Sequence, residues 1–247
     1  MPKESIYFQK WYAEQYDKDR FGGEFGRYLH SLEVETFLSM IEGFYGSVLD
    51  VGTGSGKLSL PLMRKSRQVV SIDSSLEMTR IASKKAEKEH LTLKAAICDA
   101  HDLCFRDDVF ECVISSRVLM HLDDWKKGLS ELCRVAQVLV VVDFPPLQGF
   151  SGLDSIIKKF TALLVPTVRP YKAFIIKNVM RELEKNNFRV VTVKKHFFLP
   201  IAFHRCLNRP RLSQRIEQLF STIGLARCLG APATIKAISN SYVEHPR

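Results

Sequence analysis

The sequence predicts an α/β fold, a mostly parallel sheet with helices on both faces. Three observations carry this. Between residues 47 and 143, short β-branched runs alternate with longer helical patterns. Their starts lie roughly 20 to 25 residues apart, the length of one strand plus one crossover helix. The runs are also nearly continuous in apolar residues, as strands covered on both faces should be.

The elements follow in order. Residues 1–45 read as a helical lid and 46–145 as a ligand-binding core. Strands are expected at Ser47–Val51, Gln68–Ile72, Leu93–Cys98, Glu111–Ser115 and Val138–Val142. Ser74–His90 begins on a capping serine and reads as a helix. Pro145 and Pro146 then break the chain. Residues 146–187 read as a cap and crossover helix. Leu153, Ile156, Ile157, Phe160, Leu163 and Leu164 recur there at helical spacing, and Tyr171–Asn186 forms a second helix. Residues 188–247 complete the sheet with strands Val190–Phe198 and Ala233–Ser239. Leu212, Ile216, Leu219, Phe220 and Ile223 mark an amphipathic helix between those two strands.

Composition bounds the function. The chain has 247 residues, 46% hydrophobic and 26% charged, which excludes disordered and fibrous classes. No run approaches the roughly 18 apolar residues of a membrane helix. The first residues, MPKESIYFQKWY, lack the apolar core of a signal peptide. The six cysteines show no CxxC spacing, which argues against zinc and for reduced core residues in a cytoplasmic protein. A net charge of +9 suits nucleic acid, an anionic lipid surface or an anionic substrate without choosing among them.

The chemistry concentrates where the first strand meets a glycine-rich turn, Asp50-Val51-Gly52-Thr53-Gly54-Ser55-Gly56. Glycines permit a tight turn and a close ligand approach, and the helix behind offers free N–H groups. Asp73 follows Gly52 by 21 residues at the end of the second strand, where a carboxylate accepts from ribose hydroxyls. Asp99 ends the third strand. Asp50, Asp73 and Asp99 are therefore expected at the carboxyl ends of adjacent strands, where open α/β sheets bind ligands. A dinucleotide loop wants G-x-G-x-x-G, but its third glycine position is Lys57. A carboxylate beside the loop suits a cationic ligand better than a pyrophosphate. An adenosyl sulfonium, S-adenosylmethionine, meets every element.

These residues carry a resemblance. VLDVGTGSGKLSLPL, VVSIDSSLEM and CDAHDLCFRDDVFECVISSRVLMHLDD, with YDKDRFGGEFGRYLHSLEVETFL before them, resemble class I S-adenosylmethionine-dependent methyltransferases of the ubiquinone/menaquinone-biosynthesis type. The resemblance spans roughly residues 16–145. It implies a Rossmann-like sheet of seven strands with the last antiparallel, which suits GAPATIKAIS as the closing strand. It also implies that Asp50, Gly52, Thr53, Gly54 and Gly56 hold the methionine portion and Asp73 the ribose. Ser74 and Met78 would lie against the adenosine, and Asp99 and Ala100 would flank the adenine. Ser116 and Arg117 would face the methyl group or the methionine portion. Glu111 and Cys104 depart from the family pattern, and residues 147–230 carry no substrate signature.

His121 is the candidate general base because an imidazole titrates near working pH, although a histidine that hydrogen-bonds a loop and shapes the fold is the commoner case. Asp143 ends the fifth strand and faces either the acceptor or the Pro145 turn. Tyr16 and Arg20 belong to the lid, with Arg20 near the methionine carboxylate. Arg205, Arg209, Arg211 and Arg215 surround the 212–223 helix, which either packs its apolar face on the core or makes peripheral membrane contact. The expected acceptor is a small or lipid-like molecule. A nicotinamide oxidoreductase, a non-catalytic binding module and an RNA methyltransferase are the alternatives. Nucleic acid is disfavoured because no RNA-binding module is recognisable.

Overall fold

A computed structural model describes residues 8–242 apart from 66, 151, 153 and 157–170. The helix expected over Leu153–Leu164 falls mostly outside the described residues. The described strands are β1 (Val48–Val51), β2 (Val69–Asp73), β3 (Lys94–Ile97), β4 (Phe110–Ser116), β5 (Ala136–Phe144), β6 (Phe188–Phe197) and β7 (Ala231–Ser239). They form one sheet in the order β3-β2-β1-β4-β5-β7-β6. The pairs from β3 to β5 are parallel, and β7 runs antiparallel to both neighbours. The expected seven-stranded sheet with its reversed closing strand is observed.

The helices with described bounds are α1 (Lys10–Phe21), α2 (Gly23–Met40), α3 (Ser59–Arg64), α4 (Leu76–Lys88), α5 (Trp125–Val135), α6 (Ile176–Lys185), α7 (Ile201–Leu207), α8 (Pro210–Thr222) and α9 (Leu225–Leu229). Ser75 caps α4 by accepting from the Met78 N–H, and Asp124 caps α5 by accepting from the Lys127 N–H. The helix expected from Tyr171 starts at Ile176, because Lys172 and Phe174 are tied to Met120 and Pro145 by backbone hydrogen bonds.

Two apolar layers cover the sheet. On one face, Leu49, Val51, Val140 and Val142 pack with Leu129 and Leu132 of α5 and Val179 and Leu183 of α6. On the other, Val48, Ile114, Leu139 and Val141 pack with Phe37 and Met40 of α2 and Leu58 and Leu62 around α3. Side chains alternate between faces along a strand. Asp50, Ser116 and Asp143 therefore share the α2/α3 face, and Ser116 pairs directly with Asp143 in register. The outermost strands correct the expectation of cover on both faces: most of β3 and the middle of β6 are exposed, as edge strands are.

Candidate active site

The glycine turn leaves β1 through Gly52, Gly54 and Gly56, all at positive φ. Gly52 has a steric reason as well. A Cβ there would stand 2.2 Å from Val118 Cγ2. Gly52→Ala is expected to lose about 1–2 kcal/mol from backbone strain alone and to displace Val118. Thermal unfolding measures the loss, and Val118→Ala should recover only the steric part. At Gly54 a Cβ would meet nothing within 4 Å, so open space lies beside the turn.

Asp73 fixes that turn. One carboxylate oxygen accepts from the Gly54 N–H at 2.8 Å, and the other accepts from the Ser75 N–H at 2.9 Å. Burial pushes its pKa up, against the pull of those two donors. One side chain thus joins the glycine turn to the start of α4. Ser74 is exposed beside it, and Met78 is buried in the first turn of α4.

The three expected carboxylates lie at or just past the carboxyl ends of the adjacent strands β1, β2 and β3, but in different surroundings. Asp50 is 1% exposed and turned under the loop, where Ser59 Oγ donates to it at 2.6 Å. Thr53 joins the same knot through Ser59, 2.9 Å away. Burial raises the Asp50 pKa although the Ser59 and Thr53 hydroxyls oppose it. Asp50 is therefore a support of the turn rather than part of an open rim. Its place in a four-residue strand puts it on the α3 face, and alternation allows nothing else. Asp99 is exposed two residues past β3 and accepts from the His101 N–H at 2.9 Å, which with the His101 ring keeps its pKa low. Ala100 is buried behind it.

Helix α1 packs against the turn. Asp17 Oδ1 accepts from Ser55 Oγ at 2.5 Å and pairs with Lys85 of α4. Tyr16 is half-buried with its ring edge-on to Phe21. Arg20 is half-buried, and its Nε is enclosed with no hydrogen-bond partner among the described residues.

Beside α1 and α2 is a buried charge network that the sequence does not reveal as a network. Glu33 of α2 accepts from Arg117 and lies 3.4 Å from Lys57 Nζ. Lys57 donates to Ser116 Oγ at 2.6 Å. The Arg117 backbone N–H donates to Asp143, which is 1% exposed. Arg117 itself stands at φ 60, and the Asp143 carboxylate holds that turn. Burial works to raise the Glu33 pKa, but Arg117, Lys57 and Arg20 outweigh it and keep the carboxyl below its usual range. Burial and Arg117 lower Lys57, while Glu33 and Asp143 oppose them. Burial raises Asp143 against Lys57 and Arg117. A signal for Glu33 does exist in the sequence. It occupies the buried side of α2 with Phe25, Leu29, Phe37 and Met40, four residues from both Leu29 and Phe37.

His121 ends a 3-10 turn after β4 (Leu119–His121). It is exposed in part, but crowding by protein, with Arg20 and Arg117 nearby, holds its pKa below the usual imidazole range. Among the described residues no group of three His, Cys, Asp or Glu could hold a metal ion.

Residues 49–138 match the family model described as a methyltransferase domain. That stretch, a little over a third of the chain, is similar to a methyltransferase domain. Curated relatives match about half of the chain. A demethylmenaquinone methyltransferase of Porphyromonas gingivalis is 35% identical over 129 residues, covering 46% of this chain and 53% of that protein. An uncharacterised protein of Mycobacterium tuberculosis is 32% identical over 128 residues, 51% of this chain and 43% of its own. The chain thus spans about half the length of the curated relatives it matches. The fold extends further. A magnesium protoporphyrin IX methyltransferase from Synechocystis, solved with SAH bound, superposes with a TM-score of 0.61 at 18% identity, covering 86% of this chain and 84% of that one.

Proposed function

We propose that the chain is an S-adenosylmethionine-dependent methyltransferase that moves a methyl group to a small or lipid-like acceptor by in-line displacement. The observation that carries this is Asp73, fixed by the Gly54 and Ser75 N–H groups beside a glycine with open space over it. A carboxylate held in that way is ready to accept from ribose hydroxyls without reorganising. The buried, unpartnered Nε of Arg20 is a donor that a methionine carboxylate would satisfy. Ala100, buried just past β3 and next to Asp99, gives a small apolar wall for an adenine. These residues fit the group. When bound, the sulfonium supplies an activated methyl and a leaving thioether.

The protein's own part is then positioning and, for acceptors that carry a proton, its removal. Ser116 and Arg117 sit at the end of β4, where the methyl would be presented. The hydrogen bond from Lys57 holds Ser116, and Asp143 holds the Arg117 backbone. We assign Asp143 to positioning on this geometry. His121 is the candidate base. The P. gingivalis relative, named for demethylmenaquinone, supports an apolar ring acceptor. Six free cysteines suit a reducing, cytoplasmic setting.

The direct test is titration with S-adenosylhomocysteine, followed by transfer of labelled methyl to demethylmenaquinol and to a soluble phenol. No binding of the cofactor product removes the reading. The pH dependence follows from His121. The neutral imidazole is the active form of a base. A lowered pKa keeps it neutral through the physiological range, so kcat should stay flat on acidification past the ordinary imidazole value of about 6.5 and fall only below it. His121→Gln should lower turnover, remove that acid limb and leave cofactor affinity unchanged. An acid limb that survives in the variant assigns the titration to another group.

A further inference from the structure

The helix α8 is built the wrong way round for a core helix. Its buried side is polar: Ser213 and Glu217 face inward. Its apolar stripe faces out. Leu212, Ile216, Leu219 and Ile223, spaced 4, 3 and 4 apart, fall along one line of the helix. Leu219 and Ile223 are 64% and 63% exposed, and Leu212 is also exposed. The core-facing alternative in the sequence reading is therefore corrected. The reason is Glu217. Its carboxylate accepts from the Phe198 and Leu199 N–H groups at 2.6 and 3.0 Å and lies 2.8 Å from Nε2 of the fully buried His204. These contacts fix the rotation of α8 and leave the apolar stripe in solvent.

The charge around that stripe has one sign. Between Pro200 and Gly230 the chain has five arginines and a single acid, Glu217, whose carboxylate is turned inward. Arg211, Arg215 and Arg227 are exposed. An apolar line with a cationic margin and no exposed acid matches the boundary between anionic headgroups and acyl chains. The face also adjoins the lid, since Arg205 of α7 donates to the Arg20 carbonyl and Asn208 accepts from the Phe25 N–H.

We propose that the α7–α8 face docks on an anionic lipid bilayer, with Leu212, Leu219 and Ile223 entering the headgroup boundary and Arg211, Arg215 and Arg227 meeting lipid phosphates. The proposal stands apart from the methyl-transfer reading, because vesicle binding is measured without cofactor. It would also bring a lipid-like acceptor to the lid.

The test is vesicle co-sedimentation of the full chain. Vesicles of phosphatidylcholine alone are compared with vesicles carrying about one-third phosphatidylglycerol. Binding at least about tenfold tighter to the anionic vesicles, weakening with salt, is expected. Leu219→Glu with Ile223→Glu should abolish it. Arg211→Gln with Arg215→Gln should remove the preference for anionic lipid. Both pairs lie on the surface and should leave the circular dichroism spectrum and melting temperature unchanged. Three outcomes overturn the proposal. They are equal or absent binding to the two vesicle types, a wild-type dimer in light scattering that the glutamate pair dissolves, and salt-sensitive binding to duplex DNA that outcompetes the vesicles and ignores the glutamate pair.

Discussion

Glu33→Ala should lower the unfolding free energy by about 3–5 kcal/mol, because it leaves two cations buried without their anion. Side-chain exposures of 4% for Glu33, 10% for Lys57 and 12% for Arg117 leave little room for water to replace it. The pair repulsion that already lowers the Lys57 pKa would then act unopposed by Glu33. Denaturant unfolding measures the loss. Glu33→Ala combined with Lys57→Met should cost less than the two changes added, since the second removes one stranded charge. The pH dependence has a definite sign. A carboxyl with a depressed folded pKa contributes stability that is present above its unfolded pKa and lost as pH falls through the folded one. Wild type should therefore lose this contribution only in acid below the ordinary carboxylate range, and Glu33→Ala should lack it at every pH. A loss under about 1 kcal/mol in Glu33→Ala, the level of an exposed pair, would show that the network is solvated.

Asp73→Ala should weaken S-adenosylhomocysteine binding by about 1–3 kcal/mol, roughly ten- to a hundredfold. Two effects combine. The ribose loses an acceptor, and the Gly54 and Ser75 N–H groups lose the carboxylate that sets their spacing. Asp73→Asn separates them: an amide oxygen can keep one N–H in place while the charge is gone, so its affinity should lie between wild type and alanine. Calorimetric titration reads both variants. An alanine variant that binds like wild type would remove Asp73 from the ligand site and leave it as a loop brace.

Much of this site was legible before any coordinates. The glycine turn and Asp73 follow from local pattern, since a glycine at positive φ and an acid at a strand end leave marks in neighbouring residues. The sequence does not mark Glu33 or Asp17 as site residues, and it marks Lys57 only as a departure from a dinucleotide loop. Glu33 meets Arg117 across 84 residues of sequence, and Ser55 meets Asp17 across 38. No local periodicity records such distances. The acid inside the α2 apolar stripe was the one visible sign, and it becomes interpretable only when a partner is known.

The sequence by itself determined the alternation of strands and helices and the place of the glycine turn, and its resemblance to a known family implied the reversed last strand. Strand and helix periods are local, and burial of an apolar run dictates which elements stack. Only the tertiary structure decided that Asp50 supports the turn from below, that a buried ion network stands beside Ser116, and that α8 turns its leucines outward. Each depends on which face of one element meets another. In α8 the Glu217 carboxylate and its two backbone donors settled that choice against the helix's own hydrophobic pattern, because a buried carboxylate without partners costs more than a stripe of leucine left in water.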